Sequence, residues 1–428
     1  MSDVTKKEKI HRRSLHHFLS RRKPDLGYTT NNWGEITGNS ATTKRAFVEC
    51  IRARTAPQCT FQKNRAANPV PAECWYNDSY MLSDTQKPDL YDLNREALGE
   101  LLARWSAPRS LTLELWHALY RQWVTSFEAL PLPDALRAQL AAEVRWHIPD
   151  AVEHQEAPDG ATRKDLLELA DKQHIEVVLL RYRQRRSACI STQVGCACDC
   201  IFCATGGMGF VRQLTSGEIV AQVLHFQREL AAQGESLSNL VLMGMGEPFL
   251  NYDATIAALR QLLDPQGMGF PPRRITVSTA GIVPGIERFA AERLGVNLAI
   301  SLHAATDALR EQLMPINRRY PLGMLFEAAR AYARHTGRRV MLEWALIAGV
   351  NDSPTQAEAL VTLVEGLPAH INLILLNPTP VYTGQPATPT AVEAFIAVLD
   401  AAGIPHTMRQ RRGGAIAAGC GQLRAQVK

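Results

Sequence analysis

The spacing of apolar residues divides the chain into two parts. Residues 1–80 show no sustained periodicity and are rich in Asn, Thr, Arg and Pro, which predicts a poorly structured extension. Beyond this point the pattern becomes regular, beginning with MLSDTQKPDLYDLNREALGELL at Met81. We therefore expect Met81 to be the biological start, and the extension to be a tail or a non-native addition.

Leucine residues recur at helical spacing between Asn94 and Val144. Three groups each share one helix face: Leu98, Leu101 and Leu102; Leu113, Leu115 and Leu119; Leu136 and Leu140. Pro131 and Pro133 interrupt the pattern before the third group. The pattern predicts three or four short helices, which would form a small helical domain over residues 81–150.

A segment rich in Pro, Gly, Glu and Ala follows, HIPDAVEHQEAPDGAT, and predicts a linker. We assign residues 151–187 to this linker and to a β-hairpin. Strand-like runs then alternate with helical runs, of which EIVAQVLHFQREL (218–230) is the clearest. The strand-like runs are IEVVLL (175–180), ACISTQV (188–194), NLVLMGM (239–245), RITVSTA (274–280), VNLAISLH (296–303), RVMLEWALI (339–347), INLILLN (371–377) and HTMRQ (406–410).

Repeated βα units of this kind predict an α/β fold with a parallel sheet, either open or closed as a barrel. In such folds the chemistry lies at the carboxyl ends of the strands. The unusual residues of this chain fall at those strand ends, which makes them candidates for a functional site.

The composition is that of a globular protein. Hydrophobic residues make up 46% and charged residues 21%, which excludes a disordered or collagen-like chain. No run approaches the roughly 20 apolar residues of a spanning helix, and no apolar core follows the basic N-terminus. We therefore expect a soluble, cytoplasmic protein with no membrane partner. The net charge of +5 comes from residues 1–80, so the rest of the chain gives no global electrostatic argument for a nucleic-acid partner.

Cysteine usage indicates metal or redox chemistry. Five of the nine cysteines lie between 189 and 203, a clustering that does not suit a disulfide framework. Cys196, Cys200 and Cys203 have C-x3-C-x2-C spacing directly after a predicted strand. Three thiolates would leave one iron of a four-iron cluster without a protein ligand. The alternative is a zinc loop that uses Cys198 or a distant fourth ligand.

The cysteine spacing, with Phe202 before the last thiol, resembles the radical S-adenosylmethionine superfamily. The resemblance implies one [4Fe–4S] cluster whose open iron binds the amino and carboxylate groups of S-adenosylmethionine, which is then cleaved to a 5′-deoxyadenosyl radical. Further matches occur at later strand ends, in GMGEP (244–248), VSTAGIVP, SLH (301–303) and NPTP. The cofactor-binding residues that these matches imply are Gly246, Glu247, Ser278, Ser301, Leu302, His303 and Asn377.

The motifs CISTQVGC, MGMGEP, ITVSTAGIVPGI, NLAISLHA and AAGCGQL together resemble the RlmN methyltransferases over roughly residues 88–425. The resemblance implies a partial (β/α)6, TIM-like radical S-adenosylmethionine barrel over 188–428, with a C-terminal methyl-carrier loop. It also implies that the preceding small helical domain binds RNA. The expected activity is methylation of carbon 2 of adenosine in 23S ribosomal RNA and in certain transfer RNAs.

The resemblance assigns roles to three more residues. Cys420 matches the methyl carrier, which takes a methyl group from one S-adenosylmethionine while a second is cleaved, so that each turnover uses two. Glu176 matches the acceptor of the ring proton, and Cys189 matches the thiol that frees the product as a disulfide forms. Without the resemblance, Cys189 would be interpreted as a buried strand thiol and Glu176 as a solvated carboxylate. The family often has an Asp where this chain has Ala415, which concerns the hinge of the carrier loop.

Local arginine clusters replace the missing global charge as candidate RNA contacts. We expect one cluster to lie with Tyr182 on a hairpin beside the site: Arg181, Arg183, Arg185 and Arg186. We expect the second cluster to approach the carrier loop: Arg409, Arg411 and Arg412. We also expect a reducing electron donor such as flavodoxin, and a monomer. Three alternatives stay open: a Cfr-type enzyme that methylates carbon 8, a non-catalytic iron–sulfur RNA-binding protein, and a radical activase for another protein.

Overall fold

A computed structural model describes residues 87–425 of the chain. The predictions about residues 1–80 and about a start at Met81 lie outside the described residues. The α-helices are α1 (Arg95–Arg104), α2 (Ser110–Tyr120), α3 (Asp134–Glu143), α4 (Ser216–Ala232), α5 (Tyr252–Leu263), α6 (Val283–Glu292), α7 (Asp307–Leu313), α8 (Leu322–Thr336), α9 (Pro354–Val364) and α10 (Pro389–Ala401). The strands are β1 (Asp150–Glu156), β2 (Thr162–Glu168), β3 (His174–Tyr182), β4 (Arg185–Cys189), β5 (Gln193–Gly195), β6 (Phe210–Gln213), β7 (Asn239–Leu242), β8 (Ile275–Thr279), β9 (Asn297–Ser301), β10 (Val340–Leu346), β11 (Ala369–Leu375) and β12 (His406–Met408).

Ten of these strands form one sheet in the order β1-β2-β3-β4-β7-β8-β9-β10-β11-β12. Strands β1 to β4 pair antiparallel, and every pair from β4 to β12 is parallel. The six strands β4 and β7 to β11 are each followed by at least one helix before the next strand of the sheet. Because β1 and β12 are its edges, the sheet is an open, partial (β/α)6 barrel. The predicted fold is confirmed.

The barrel forms where the sequence offers buried strands and well-capped helices. Val277, Leu298 and Leu342 lie in β8, β9 and β10 with at most 1% of their surface exposed, as expected for a parallel sheet covered on both faces. At the start of α4, Thr215 Oγ1 accepts a hydrogen bond from Glu218 N (3.1 Å), and the Glu218 carboxylate accepts one from Thr215 N (2.9 Å). This capping box explains why the helix begins where the chain leaves β6.

The leucine pattern before the barrel does form helices, namely α1, α2 and α3. Leu98, Leu115 and Leu140 are buried as predicted, whereas 38% of Leu113 is exposed. The helices share one hydrophobic core with the barrel, and Asp92 Oδ1 accepts a hydrogen bond from Gly217 N of α4 (2.6 Å). A separate helical RNA-binding domain ending at residue 150 therefore stays a prediction.

The linker predicted for the segment before the barrel is wrong in part, because this segment contains β1. Strands β1, β2 and β3 form an antiparallel meander where we expected a linker and one hairpin. The residues of β1, DAVEHQE, are all at least partly exposed, so this edge strand has no buried apolar face that a sequence pattern could reveal. The single strand predicted over 188–194 is also interrupted, since β4 ends at Cys189 and β5 begins at Gln193.

Candidate active site

A single cavity opens at the carboxyl ends of the parallel strands and collects most of the predicted site residues. Those that line it are Cys196, Cys200, Cys203, Gly246, Glu247, Ser278, Ser301, His303, Asn377 and Cys420. The side chain of Leu302 is fully buried outside this lining. Cys189 and Glu176 also lie outside the cavity lining, as described below.

The cysteine loop is closed by the ribbon of β5 and β6. Cys196 N donates to Gly209 O (2.9 Å), and Cys203 N donates to Cys200 O (3.0 Å). Gly195 has φ +75°, and a Cβ there would lie 1.9 Å from Gly209 O, so only glycine allows the strands to approach this closely. The glycine before the first thiol therefore has a structural reason.

The thiols of Cys196, Cys200 and Cys203 lie near one another in the cavity. Burial raises the pKa of Cys200, and its neighbours Cys203 and Cys196 raise it further. Iron must therefore displace the protons of these thiols, as metal binding to cysteine requires. Within residues 87–425 no three His, Cys, Asp or Glu side chains surround one metal position. In a four-iron cluster each thiolate binds a different iron, so the donor set here fits such a cluster without that arrangement.

Arg310 on α7 is a functional candidate that the sequence analysis missed. It is fully buried, and its guanidinium donates to Ala280 O (2.7 Å), Ser301 O (3.1 Å) and Leu302 O (3.2 Å). It holds the ends of β8 and β9 together, and its positive charge opposes in part the rise that burial causes in the pKa of Cys200. Arginine in an amphipathic helix is ordinarily solvated, so the sequence contains no signal for this burial.

Gly246 and Glu247 connect β7 to the neighbouring strand ends. Gly246 has φ +98°, and a Cβ there would lie 2.5 Å from the side chain of Gln193. The Glu247 carboxylate accepts hydrogen bonds from Phe249 N (2.9 Å) and Ala280 N (2.6 Å). Burial nevertheless raises its pKa to about 7. Gln193 is a further site residue that was not predicted, and its Oε1 accepts a hydrogen bond from Glu247 N (2.8 Å).

His303 lies in the cavity wall as a neutral side chain. Its Nδ1 accepts a hydrogen bond from Ala345 N (2.9 Å), and its ring contacts Phe202 edge-on at 4.9 Å between centroids. Burial lowers the pKa of His303 to about 3, and the positive charge of Arg310 acts in the same direction. His303 therefore shapes the cavity and does not carry charge at neutral pH.

The loop that carries Cys420 is attached to the cysteine loop and to the end of β11. Ala204 N donates to Gly421 O (2.7 Å), and Asn377 Nδ2 donates to Cys420 O (3.1 Å). Gln422 Nε2 donates to Pro378 O (2.7 Å). These bonds place the exposed Cys420 side chain in the same cavity as the three thiols, more than 200 residues away in sequence.

Cys189 ends β4 close to the carrier. Burial raises its pKa to about 12, and the neighbouring Cys420 thiol adds to the rise. A thiol of this kind is a poor nucleophile until a base or a change of environment removes its proton. The structure therefore brings the two predicted reacting cysteines together, with Cys189 behind the cavity wall.

Glu176 occupies a different environment from the one predicted for an isolated strand carboxylate. Only 4% of it is exposed, and Oε1 forms an ion pair with Lys164 Nζ (2.7 Å). Arg424 N donates to Oε2 (2.5 Å), and Lys164 Nζ lies 3.5 Å from Ala417 O. The carboxylate therefore contacts Arg424 directly and Ala417 through Lys164, on either side of Cys420 in residues 411–424, which we call the carrier segment. The structure does not bring the carboxylate into the cavity.

The expectation that the arginine hairpin lies beside the site is wrong. The β3–β4 turn precedes β4, so it lies at the amino ends of the parallel strands, opposite the cavity. Arg181 and Arg186 are ion-paired with Glu156 (3.1 Å) and Glu235 (2.5 Å).

Two members of the second arginine cluster contact cavity residues, whereas the third, Arg412, contacts Tyr182 and Arg181 of the hairpin. Arg411 Nε donates to Asn377 Oδ1 (3.3 Å), and Arg409 lies 3.5 Å from Glu343. Glu343 is a buried cavity residue that the sequence analysis missed, and burial raises its pKa. The sequence does contain a signal for Glu343, because it is the one carboxylate within the mainly apolar run RVMLEWALI (339–347).

Comparison with known proteins identifies the class of protein that this fold and site define. The sequence model of the Radical SAM superfamily matches residues 190–359, which include the three-cysteine loop. A solved radical SAM methyltransferase from Sphaerobacter thermophilus is 48% identical, with a TM-score of 0.77 over 79% of this chain and 100% of that one.

Curated relatives narrow the class to one family. "Dual-specificity RNA methyltransferase RlmN 1" of Myxococcus xanthus is 49% identical over 352 residues, 81% of this chain and 97% of the relative. "Probable dual-specificity RNA methyltransferase RlmN" of Chloroflexus aurantiacus is 46% identical over 349 residues, 78% of this chain and 92% of the relative. The chain belongs to the RlmN family, and its cofactors are a [4Fe–4S] cluster and S-adenosylmethionine.

Proposed function

We propose that this protein is a radical S-adenosylmethionine methyltransferase that methylates carbon 2 of adenosine in 23S ribosomal RNA and in certain transfer RNAs. The observation that carries the proposal is one cavity lined both by the three thiols and by Cys420. Carbon 2 of adenine is electron-poor and a weak nucleophile, so direct attack on a sulfonium is unfavourable. A radical route with a separate methyl carrier answers that difficulty.

Cys196, Cys200 and Cys203 would hold the cluster. Gly246, Glu247, Ser278, Ser301 and Asn377 line the same cavity and would bind S-adenosylmethionine, with His303 shaping the wall. Leu302 would act by positioning its neighbours Ser301 and His303, because its backbone N donates to Glu343 O (3.0 Å) and its O accepts from Arg310 (3.2 Å). When bound, the cluster and S-adenosylmethionine supply the methyl group and the one-electron chemistry that removes a hydrogen atom from the methylated carrier.

Cys420 would take the methyl group through its thiolate sulfur, releasing S-adenosylhomocysteine and a proton. After loss of a hydrogen atom, the methylene carbon on Cys420 would bond to carbon 2 of adenine, so that RNA and protein become covalently joined, and the adduct radical would lose one electron to the bound cluster. The Cys189 thiolate would then attack the sulfur of Cys420 and form a disulfide, while the carbon released from sulfur takes up a proton to complete the methyl group. An added thiol or the electron donor would have to reduce the disulfide before the next turnover. The proximity of the two thiols supports this pairing.

Glu176 would accept the proton that leaves carbon 2 of the joined adenine. In the structure its carboxylate is bound by Lys164 and by Arg424 N. The role therefore requires the carrier segment to release the carboxylate once the RNA adduct has formed. Lys164 would then stabilise the negative charge of Glu176 until the proton is taken.

The remaining assignments follow from this activity. We propose a low-potential electron donor such as flavodoxin, a monomeric enzyme, and a cytoplasmic location where both RNA substrates occur. Within residues 87–425 no helix has the length and apolar character to cross a bilayer.

The test is multiple-turnover reaction of the anaerobically reconstituted enzyme with ribosomal RNA fragments and S-adenosylmethionine bearing a trideuterated methyl group. Nucleosides are resolved by mass spectrometry, and we expect 2-methyladenosine that retains two deuteriums. Three deuteriums would mean direct transfer and refute the carrier mechanism. An 8-methyl product would indicate the Cfr-type activity, and no methylated adenine with intact cluster and RNA would favour an RNA-binding protein.

A further inference from the structure

A groove at the amino ends of the barrel strands has no role in the proposed chemistry. We call it the basal groove, and its walls include Tyr182, Arg183, Arg185, Asn239, Arg274 and Arg412. The β3–β4 turn supplies one side, and the starts of β7 and β8 supply the other. The active-site cavity is at the opposite ends of the same strands. Since β4 has five residues, the β3–β4 turn lies roughly 16 Å of strand away from the carboxyl end of β4. Arg412 connects the groove to the segment that leads to Cys420.

The charge of the basal groove is uncompensated. Four arginines line it and no Asp or Glu does. The neighbouring acidic residues are engaged elsewhere, since Glu235 pairs with Arg186, and Glu156 and Glu229 pair with Arg181. Among residues 87–425 no ion pair is formed by Arg183, Arg185 or Arg274. A site of this kind attracts a polyanion and is weakened by salt.

Tyr182 organises two of these arginines. The guanidinium of Arg185 lies 4.0 Å from the centroid of its ring, and that of Arg412 lies 4.5 Å from it. Arg412 also donates to Arg181 O (3.3 Å). Cation–π contacts leave the edges of a guanidinium free to donate hydrogen bonds, so the Arg185 fork is held in place for an anion. Arg412 instead supports the ring of Tyr182 and adds positive charge, because its own donors are directed at Arg181 O and Gln410 Oε1 (3.5 Å).

We propose that the basal groove binds the phosphate backbone of the substrate RNA at a point remote from the target adenosine. The inference rests on the proposed function and adds to it a second RNA contact. Planar arginine forks suit phosphate oxygens, and backbone contacts carry no sequence information. A contact of this kind is compatible with two different RNA substrates, because it reads the backbone that both share.

The position of the groove favours RNA over the electron donor as its occupant. An electron donor must approach the thiols, which lie at the other end of the strands. A structured RNA is large enough to place one element at the cavity and another at the opposite end of the barrel.

The test compares two charge-reversal variants of the reconstituted holoenzyme. Arg183→Glu/Arg185→Glu alters the groove, and Arg318→Glu/Arg334→Glu makes the same charge change at exposed positions elsewhere. Dissociation constants for an unmodified transfer RNA are measured by fluorescence anisotropy over a series of KCl concentrations. We expect the groove variant to bind about tenfold or more weakly than wild type, with the slope of log K against log salt reduced by about 1 to 2. The KM for RNA rises with little change in kcat, and Arg183→Lys/Arg185→Lys retains most of the affinity.

Affinity and salt slope equal to those of the control variant would overturn the proposal. So would unchanged RNA binding combined with slower reduction of the cluster by flavodoxin, which would assign the groove to the electron donor. S-methylation of Cys420 in the absence of RNA is followed by mass spectrometry in every variant and should be unaffected. Failure of wild type to methylate Cys420 would contradict the proposed function, whatever the groove binds.

Discussion

The two ends of the barrel strands differ in the solvent exposure and charge state of their ionisable side chains. At the carboxyl ends, ionisable groups are buried or neutralised: His303 is held neutral, the Cys200 thiol is held protonated, and Arg310 is enclosed by backbone carbonyls. At the amino ends, Arg183, Arg185 and Arg274 are exposed and form no ion pair within residues 87–425. One sheet therefore supports two kinds of site, a sheltered one for reaction and an open one for electrostatic attraction.

The difference follows from the strand connections. The loops after the parallel strands fold over the sheet ends and are closed by the cysteine loop and the carrier segment. At the amino ends, β3 and β4 are joined by a turn of two residues, Arg183 and Gln184, which leaves the groove beside it open. If the two ends are functionally separate, changes at one end should leave the function of the other intact.

The largest expected effect is that of Cys420→Ala on turnover. Because the proposed route holds the methyl group on the sulfur of Cys420, methylated adenosine should fall below detection in this variant, a loss of more than about a thousandfold. The measurement is nucleoside mass spectrometry, with iron content and RNA affinity determined on the same sample. Cys198→Ala is the matched control, because Cys198 is a buried cavity thiol outside the C-x3-C-x2-C set. Full activity of Cys420→Ala, or a parallel loss of RNA affinity, would break the separation.

The second effect concerns the sheltered thiol of Cys189. Because its pKa is raised from 9 to about 12, its thiolate fraction at pH 8 should be about a thousandfold lower than in the unfolded chain. Alkylation by iodoacetamide, quantified by peptide mass spectrometry, should rise about tenfold per pH unit without a plateau up to pH 9.5. The same peptide in urea is the control and should level off near pH 9. A plateau in the folded protein would show that Cys189 is not sheltered.

The third effect is on stability, through the pair that connects the antiparallel strands to the carrier segment. Lys164→Met leaves the buried carboxylate of Glu176 without its cation, which should lower the free energy of unfolding by about 3 kcal/mol. Urea denaturation measures the change, and Lys164→Met/Glu176→Gln should recover part of it. Arg318→Met removes an exposed pair with Glu311 and should cost less than about 1 kcal/mol. Equal costs for the two single variants would mean that the pair is effectively solvated.

The smallest effect concerns the backbone beside the carrier. Ala417 has φ +49° and ψ 42°, a left-handed conformation that costs a non-glycine residue about 1 kcal/mol. Ala417→Gly should remove this cost but add chain entropy to the unfolded state, for a net stabilisation of about 0.5 kcal/mol or less. Ala418→Gly is the control and should destabilise, since Ala418 is buried and its φ is not positive. Destabilisation by Ala417→Gly would show that the left-handed conformation is not strained.

The barrel was predictable because its signals are local. Each parallel strand is an apolar run, and the polar residue that follows it must lie at the same end of the sheet as the others. This rule predicts one shared site, and the structure does place Cys196, Gly246, Ser278 and Asn377 in the lining of one cavity. Strand β1 was missed because a polar edge strand is defined by its partner and not by its own residues.

The environments of the site residues were harder to predict than their identities. Glu176 was correctly expected in a strand, but its burial with Lys164 depends on how β2, β3 and the carrier segment pack. The arginine hairpin was found, but its end of the barrel was assigned wrongly. The direction of β3 relative to β4 decides that point, and strand direction is a property of the sheet.

The sequence by itself determined the class of fold, the three-cysteine loop, the strand-end motifs and the late cysteine, because each depends on residue type and spacing. Only the tertiary structure decided that Cys420 lines the same cavity as Cys196, Cys200 and Cys203. It also decided that Arg310 and Glu343 are buried near this cavity, and that exposed arginines line a groove at the amino ends of the strands. Those features depend on contacts between residues far apart in the chain, and on burial, which sets the charge state of each group. A short stretch of sequence determines neither its distant contacts nor its burial.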